Sequence, residues 1–189
     1  MPAGRGVQFV VLAEDQLLER FIRGCLYALG VRIHEIRFLT SPVARGSAKQ
    51  WIDREYPGQV RAHRQYAREN RALIVGTDAD EYAVRQRIHR LDDALREAGL
   101  DPRSPAEKIA ILVPRWHIET WLLHLWGLAV DEHTDYKRQV RDAGIDIKAA
   151  AQAFIGRFRA SDSNGCLPSI VEAFEEMRRI QAALDRAEP

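Results

Sequence analysis

Cysteine is almost missing from this sequence: Cys25 and Cys166 are the only two among 189 residues, far apart and in no Cys-x-x-Cys or Cys-His spacing. That excludes a disulfide-stapled framework and a cysteine-based zinc site, and it fits a reducing compartment. Long apolar runs are missing as well. None approaches the roughly 18 residues of a membrane span, and the opening Met-Pro-Ala-Gly-Arg-Gly leads straight into a strand-like segment without a signal-peptide core. The expected location is cytoplasmic, with no membrane partner. Charge of one sign is not in excess either. With 28 Lys and Arg against 27 Asp and Glu, the net charge of +1 demands no acidic partner, and only local patches can speak about ligands. Repeats, low-complexity tracts and linker-like stretches are absent too. The 46% apolar and 29% charged content is that of an ordinary globular chain, long enough for one well-packed domain.

What is present is organised around residues 73–81, Leu-Ile-Val-Gly-Thr-Asp-Ala-Asp-Glu, an apolar run that stops abruptly at two carboxylates. A strand here puts Asp78 and Asp80 on one side and Ala79 on the other. Two such acids repel unless a cation lies between them, and an all-oxygen pair suits Mg²⁺ or Mn²⁺. The plainer alternative is a solvated loop with Asp80 capping the next helix. Residues 7–13 repeat the pattern, a β-rich apolar run ending in Glu14 and Asp15. Leu17, Leu18, Phe21, Ile22, Cys25, Leu26 and Leu29 then recur at helical spacing up to Gly30.

Residues 31–39 alternate as a second, less buried strand, and residues 40–48 form a Ser, Pro, Gly and Arg loop. Two short helices separated at Pro57-Gly58 are expected up to residue 70. On the second, Arg61, Arg64, Arg68 and Arg71 form a cationic stripe, read equally as a solvated face or as a contact to nucleic-acid phosphates. A helix over residues 82–98 follows the third strand, residues 108–114 form a fourth strand, and a helix starts at its end. Strand and helix alternate throughout, which predicts an α/β fold with a mostly parallel four-stranded sheet flanked by helices. Ligands bind at the carboxyl ends of strands in such sheets, where Glu14, Asp78 and Asp80 all fall. Glu119, in the first turn after the fourth strand, is either a dipole-favoured acid or a fourth carboxylate of the site. His117 is read as a satisfied or exposed histidine, and Trp116, Trp121 and Trp126 as packing in the core or at the join to the C-terminal part, with an aromatic nucleic-acid platform as the alternative. Residues 131–136 read as a loop and residues 145–158 as a helix. Residues 161–165 form a turn, and Pro168 opens a final amphipathic helix. The division expected is residues 1–127 as the α/β core and 128–189 as a helical C-terminal extension packed on it.

Taken together, a strand ending in Glu14, a third strand ending in Asp78-Ala79-Asp80, and the alternation around them resemble the Toprim fold of topoisomerases, bacterial primases and OLD-family nucleases. Its hallmark is a glutamate after the first strand and Asp-x-Asp after the third. In OLD-type nucleases a Gly-rich turn with a lysine follows the second strand, and Gly46-Ser47-Ala48-Lys49 stands there. The segment 114–123 is similar to the Ile-Glu-x-Trp stretch of small stand-alone Toprim-like proteins encoded beside ATPases in phage-defence systems. The resemblance covers about residues 7–125. One departure is Asp15, where a glycine or small residue usually follows the glutamate; Glu19 is a further acid one turn on.

The resemblance implies a metal-dependent endonuclease acting on DNA. Glu14, Asp78 and Asp80 would hold the metal, Glu119 would complete a second site, and Lys49 would neutralise a non-bridging phosphate oxygen. Arg61, Arg64 and Arg68 would position the DNA backbone. A partner ATPase is expected, and self-association stays open. Two rival readings also stay open: a catalytically inert Toprim-like subunit offering a surface to that ATPase, and a phosphatase of another doubly wound fold. Glu14-Asp15, standing where a haloacid dehalogenase-like enzyme has an Asp-x-Asp, argues against the latter.

Overall fold

The computed structural model describes residues 8–42, 48–66 and 68–184. The first residue of the expected first strand and the Gly46-Ser47 turn lie outside them. The elements run β1 (Gln8–Ala13), α1 (Gln16–Ala28), a short 3₁₀ helix (Ile33–Glu35), β2 (Ile36–Thr40), α2 (Ala48–Gln65), β3 (Arg71–Gly76) and α3 (Val84–Glu97). They continue with β4 (Ile109–Leu112), α4 (Ile118–Leu125), α5 (Lys137–Ala143), α6 (Ile147–Arg159), α7 (Pro168–Arg179) and α8 (Gln181–Leu184). The four strands form one sheet in the order β2-β1-β3-β4, every pair parallel. Ala13 is in register with Thr40 and Gly76, and Gly76 with Leu112, so all four strands end together at one edge.

The strands are apolar on both faces because helices cover both. Phe9, Val11, Ala13, Ala72, Ile74, Ala110 and Leu112 face the layer made by α1, α4, α6 and α7, while Leu12, Leu73, Val75, Ile109 and Ile111 face α2 and α3. In the first layer, Phe21 of α1, Trp121 of α4, and Phe154 of α6 pack as an aromatic group, and Phe174 of α7 joins at 5.0 Å from Phe154. Helices beyond residue 127 therefore share one core with the α/β unit. Close approach sets two glycines. A Cβ on Gly24 would meet Ala151 Cβ at 2.7 Å, and one on Gly76 would meet Ile22 Cδ1 at 2.7 Å. β4 is a sheet edge, and Glu176 of α7 caps it by accepting from the Ile111 N–H at 2.8 Å while pairing with Arg103. That removes a free donor from an otherwise exposed edge. Among the described residues no helix is long and apolar enough to cross a membrane.

Three local expectations are corrected. The second strand begins at Ile36, because Glu35 accepts from the Arg32 backbone N–H at 2.8 Å and closes a 3₁₀ turn instead. The two short helices are one, α2, running through Pro57. The lost backbone bond is offset by packing, since Ile52, Tyr56 and Val60 are all fully buried on one stripe. Directly after the loop expected at residues 131–136, Lys137–Ala143 form α5, stopped by Gly144 in the left-handed region at φ 58°. Of the three tryptophans expected in the core or at the join to the C-terminal part, only Trp121 is fully buried, and Trp126 is 47% exposed.

Candidate functional site

In the order β2-β1-β3-β4 the chain turns to one side after β1 and to the other for β3. The two strands at this reversal leave a crevice beyond their carboxyl ends. The acids lie there. Glu14 follows β1 directly, and its backbone N–H donates to Gly76 O at 3.0 Å, carrying the β1–β3 pairing one residue past the strands. Its Oε2 accepts from Thr77 Oγ1 at 2.6 Å and from the Asp78 N–H at 3.0 Å. Thr77 also accepts from Arg87 Nε at 3.0 Å, so the glutamate is held from behind.

Asp78 is buried, its side chain 8% exposed, and its Oδ1 has no hydrogen-bond partner. Its Oδ2 lies 3.3 Å from His117 Nδ1, which is also 3.4 Å from Asp80 Oδ1. Asp80 is reached through an unusual backbone. It adopts φ 50° opposite Trp116 at φ 62°, and the two exchange backbone hydrogen bonds of 3.1 Å in an isolated antiparallel bridge. Left-handed geometry is tolerable for aspartate and costly for tryptophan, so the surrounding structure must enforce it. Asp80 does not cap α3, whose N-cap is Ala83. Its Oδ2 forms an ion pair with Lys49 Nζ at the start of α2. Glu119, in the first turn of α4, joins the same cavity of about 1020 Å³, with Asp135 and Lys137 on a further wall.

Electrostatics set this cavity apart. Burial drives the Asp78 carboxyl well above the usual carboxylate range, and the neighbouring charges of Glu14, Asp15, Glu119 and Asp80 push the same way. Burial also raises Glu14, against the bonds from Thr77 and the Asp78 N–H and the charges of Lys49 and Arg87. Glu119 is raised by burial too. His117 is lowered by burial and by Lys137, which favours the neutral imidazole.

Hard oxygen donors, surplus negative charge and a partnerless buried oxygen on Asp78 are the chemistry a divalent cation completes. As positioned, however, no group of three or more His, Cys, Asp or Glu side chains among the described residues is arranged to hold one. The cation beside Asp80 is the Lys49 ammonium. The donors thus fit a metal in kind and charge, and binding requires Asp80, with its side chain 42% exposed, to leave Lys49 and turn inward.

Of the residues singled out in the sequence, Glu14, Asp78, Asp80, Lys49 and Glu119 come together around this cavity. Arg61, Arg64 and Arg68 do not line it. Lys49 and Arg61 are twelve residues apart on α2, roughly 18 Å along the axis. Arg64 is engaged by Glu107 at 2.6 Å and by the Asp101 carbonyl at 3.0 Å, just before β4 begins, which places it at the opposite edge of the sheet. Arg61 donates to Ala98 O at 3.4 Å and borders a groove between α2 and α3, and Arg68 is exposed beyond the end of α2. Asp15 caps α1 by accepting from the Leu18 N–H at 2.8 Å while its chain borders the cavity, and Glu19 is taken by Arg23 and Thr40.

His117, expected to be a bystander, stands between the two aspartates, and Thr77, Arg87 and Lys137 were not anticipated. Arg87 carried a readable signal, a charge on the Val84, Leu91, Leu95 stripe of α3. Lys137 carried none, because only the tertiary fold brings α5 to the crevice. The chain matches no protein-family model, no curated protein and no solved structure; its class is α/β with a four-stranded parallel sheet.

Proposed function

We propose that this protein is a divalent-metal-dependent endonuclease of the Toprim type that hydrolyses DNA phosphodiesters, with Glu14, Asp78 and Asp80 holding Mg²⁺ or Mn²⁺ and Glu119 as an additional carboxylate. The observation that carries it is the buried, partnerless Oδ1 of Asp78 among four further acids at the crevice between β1 and β3. A fold keeps such a cluster at a cost to stability, and catalytic sites are where that cost has a use. The order of the acids, Glu14 after β1 and Asp78-x-Asp80 after β3, supports the Toprim resemblance.

When bound, the ion would supply charge at the scissile phosphate and an activated water. The protein's own groups have separable tasks. Thr77 and the Asp78 N–H orient the Glu14 carboxylate. A neutral His117 with its proton on Nδ1 donates toward Asp78 and steadies both aspartates. Lys49, once released from Asp80, is placed to neutralise a non-bridging oxygen. Lys137, exposed at the cavity, would meet the flanking phosphate backbone in place of the distant arginine stripe.

The test is nicking of plasmid DNA during titration with Mg²⁺ and Mn²⁺, comparing wild type with Asp78→Ala and Asp80→Ala. Nicking by wild type alone, lost by about 10²-fold or more in either variant, is the expected result. Equal nicking by the variants would sink the proposal. A second reading, a catalytically inert subunit that serves an ATPase partner, is favoured by the lack of a preformed three-donor group among the described residues and by the Lys49 ion pair. It predicts no metal-dependent cleavage with or without that partner.

A further inference from the structure

Arg87 is a buried charge that the proposed chemistry leaves unexplained. It lies on the inward stripe of α3 between Val84 and Leu91 and is 7% exposed. Its Nε donates to Thr77 Oγ1 at 3.0 Å, its Nη1 donates to Asp53 Oδ1 at 2.6 Å, and its Nη2 is buried with no hydrogen-bond partner. Stability gives no reason to keep it. Replacing a buried ion pair by apolar side chains of similar volume is often neutral or stabilising, and an unspent guanidinium N–H adds to the cost of this one.

The hydrogen-bond directions show what the guanidinium does. Arginine can only donate, so Thr77 Oγ1 must accept from it. The single hydroxyl proton of Thr77 is thereby turned toward Glu14 Oε2, 2.6 Å away. A polarised hydroxyl is the better donor, and the Asp78 N–H adds a second bond to the same oxygen. Asp53, on α2, anchors the other end and is itself approached by Arg90 Nε at 3.6 Å. The chain Asp53, Arg87, Thr77, Glu14 thus runs from the outer helices to the crevice through one rotamer per residue.

We infer that Arg87 is a positioning residue of the candidate metal centre: acting through the Thr77 hydroxyl, it fixes the orientation of the Glu14 carboxylate. The inference rests on the reading of Glu14 as a metal ligand. It adds Arg87, behind the Thr77 hydroxyl, as a residue that never touches the substrate and yet sets how well the centre loads.

The experiment uses full-length protein carrying ¹³C at the glutamate carboxyls, with Mn²⁺ alone as the probe. Wild type is compared with Thr77→Val, Thr77→Ser and the paired change Arg87→Met with Asp53→Leu, which leaves no stranded charge. The Glu14 carboxyl resonance of the metal-free protein moves in Thr77→Val and in the pair, and returns in Thr77→Ser. Mn²⁺ affinity falls about tenfold in the first two, as when a partner that orients a metal ligand is removed elsewhere. The paired variant keeps a thermal midpoint at or above that of wild type, which separates positioning from folding. An unmoved Glu14 resonance and wild-type Mn²⁺ affinity in the folded pair would overturn the inference. Wild-type protein that binds no Mn²⁺ overturns the functional reading instead, and the carboxyl resonance alone then decides whether Arg87 orients Glu14.

Discussion

At Asp78 the competition between function and stability is concentrated in one carboxyl. Its proton is held far more tightly in the folded protein than in the unfolded chain, where an aspartate titrates near its ordinary value. The folded state therefore binds more protons over that interval, and the stability tied to this group falls as pH rises through the folded value. Glu14 and Glu119 shift in the same direction and add to the slope. Metal-free protein should accordingly lose stability as pH rises above the ordinary carboxylate value of about 4. Asp78→Asn keeps the shape and removes the charge. It should stabilise the metal-free protein at pH 7 and flatten its pH dependence, because asparagine has no proton to hold more tightly in the folded state. Urea unfolding in the presence of a chelator at pH 5 and pH 7 checks this; an asparagine variant with the wild-type slope would mean that Asp78 is not the strained group.

Among the elements, the strands were the most legible in the sequence, because burial on both faces writes a continuous apolar run such as Leu73-Ile74-Val75. Glu14, Asp78, Asp80 and Glu119 were legible as a group for the same reason, each following a strand that the pattern marks. The start of β2 was not, since one side-chain bond from Glu35 decides it. Nor was the continuity of α2 through Pro57, which is held by contacts to Leu73 and Val75 of the sheet and to α3. His117 looked unremarkable because its role depends on the Asp80–Trp116 bridge. The seat of α1 on β3 offers a direct test. Gly76→Ala would drive a methyl into Leu18 and Ile22, whose nearest atoms stand at 2.9 and 2.7 Å. A loss of roughly 1–3 kcal/mol in urea unfolding is expected from such overpacking. An unchanged midpoint would show that α1 can lift without penalty.

For the whole molecule, the boundary near residue 127 does not separate two cores. Phe154, Ile155, Phe174 and Met177 are buried against Phe21, Ile22, Trp121 and Leu122, and the Trp121 indole donates to Ser169 Oγ at 2.7 Å. Removing residues 128–189 would uncover the side chains of α1 and α4 that pack against α6 and α7, and strip the Glu176 cap from β4. Residues 1–127 alone should therefore be aggregation-prone and lack the dispersed amide spectrum of a folded domain, as NMR of the fragment would show. A well-dispersed spectrum would restore the extension to the status of an accessory.

The Asp80–Trp116 bridge yokes two loops that would otherwise travel separately. Because each of the two residues donates to and accepts from the other, the turn after β3 and the approach to α4 are fastened together at the backbone beside Asp78, Asp80, His117 and Glu119. Glu14 and Lys49 enter from other strand ends. The Asp80 side chain can then change partner while the backbone that carries it keeps its place beside Trp116 and His117.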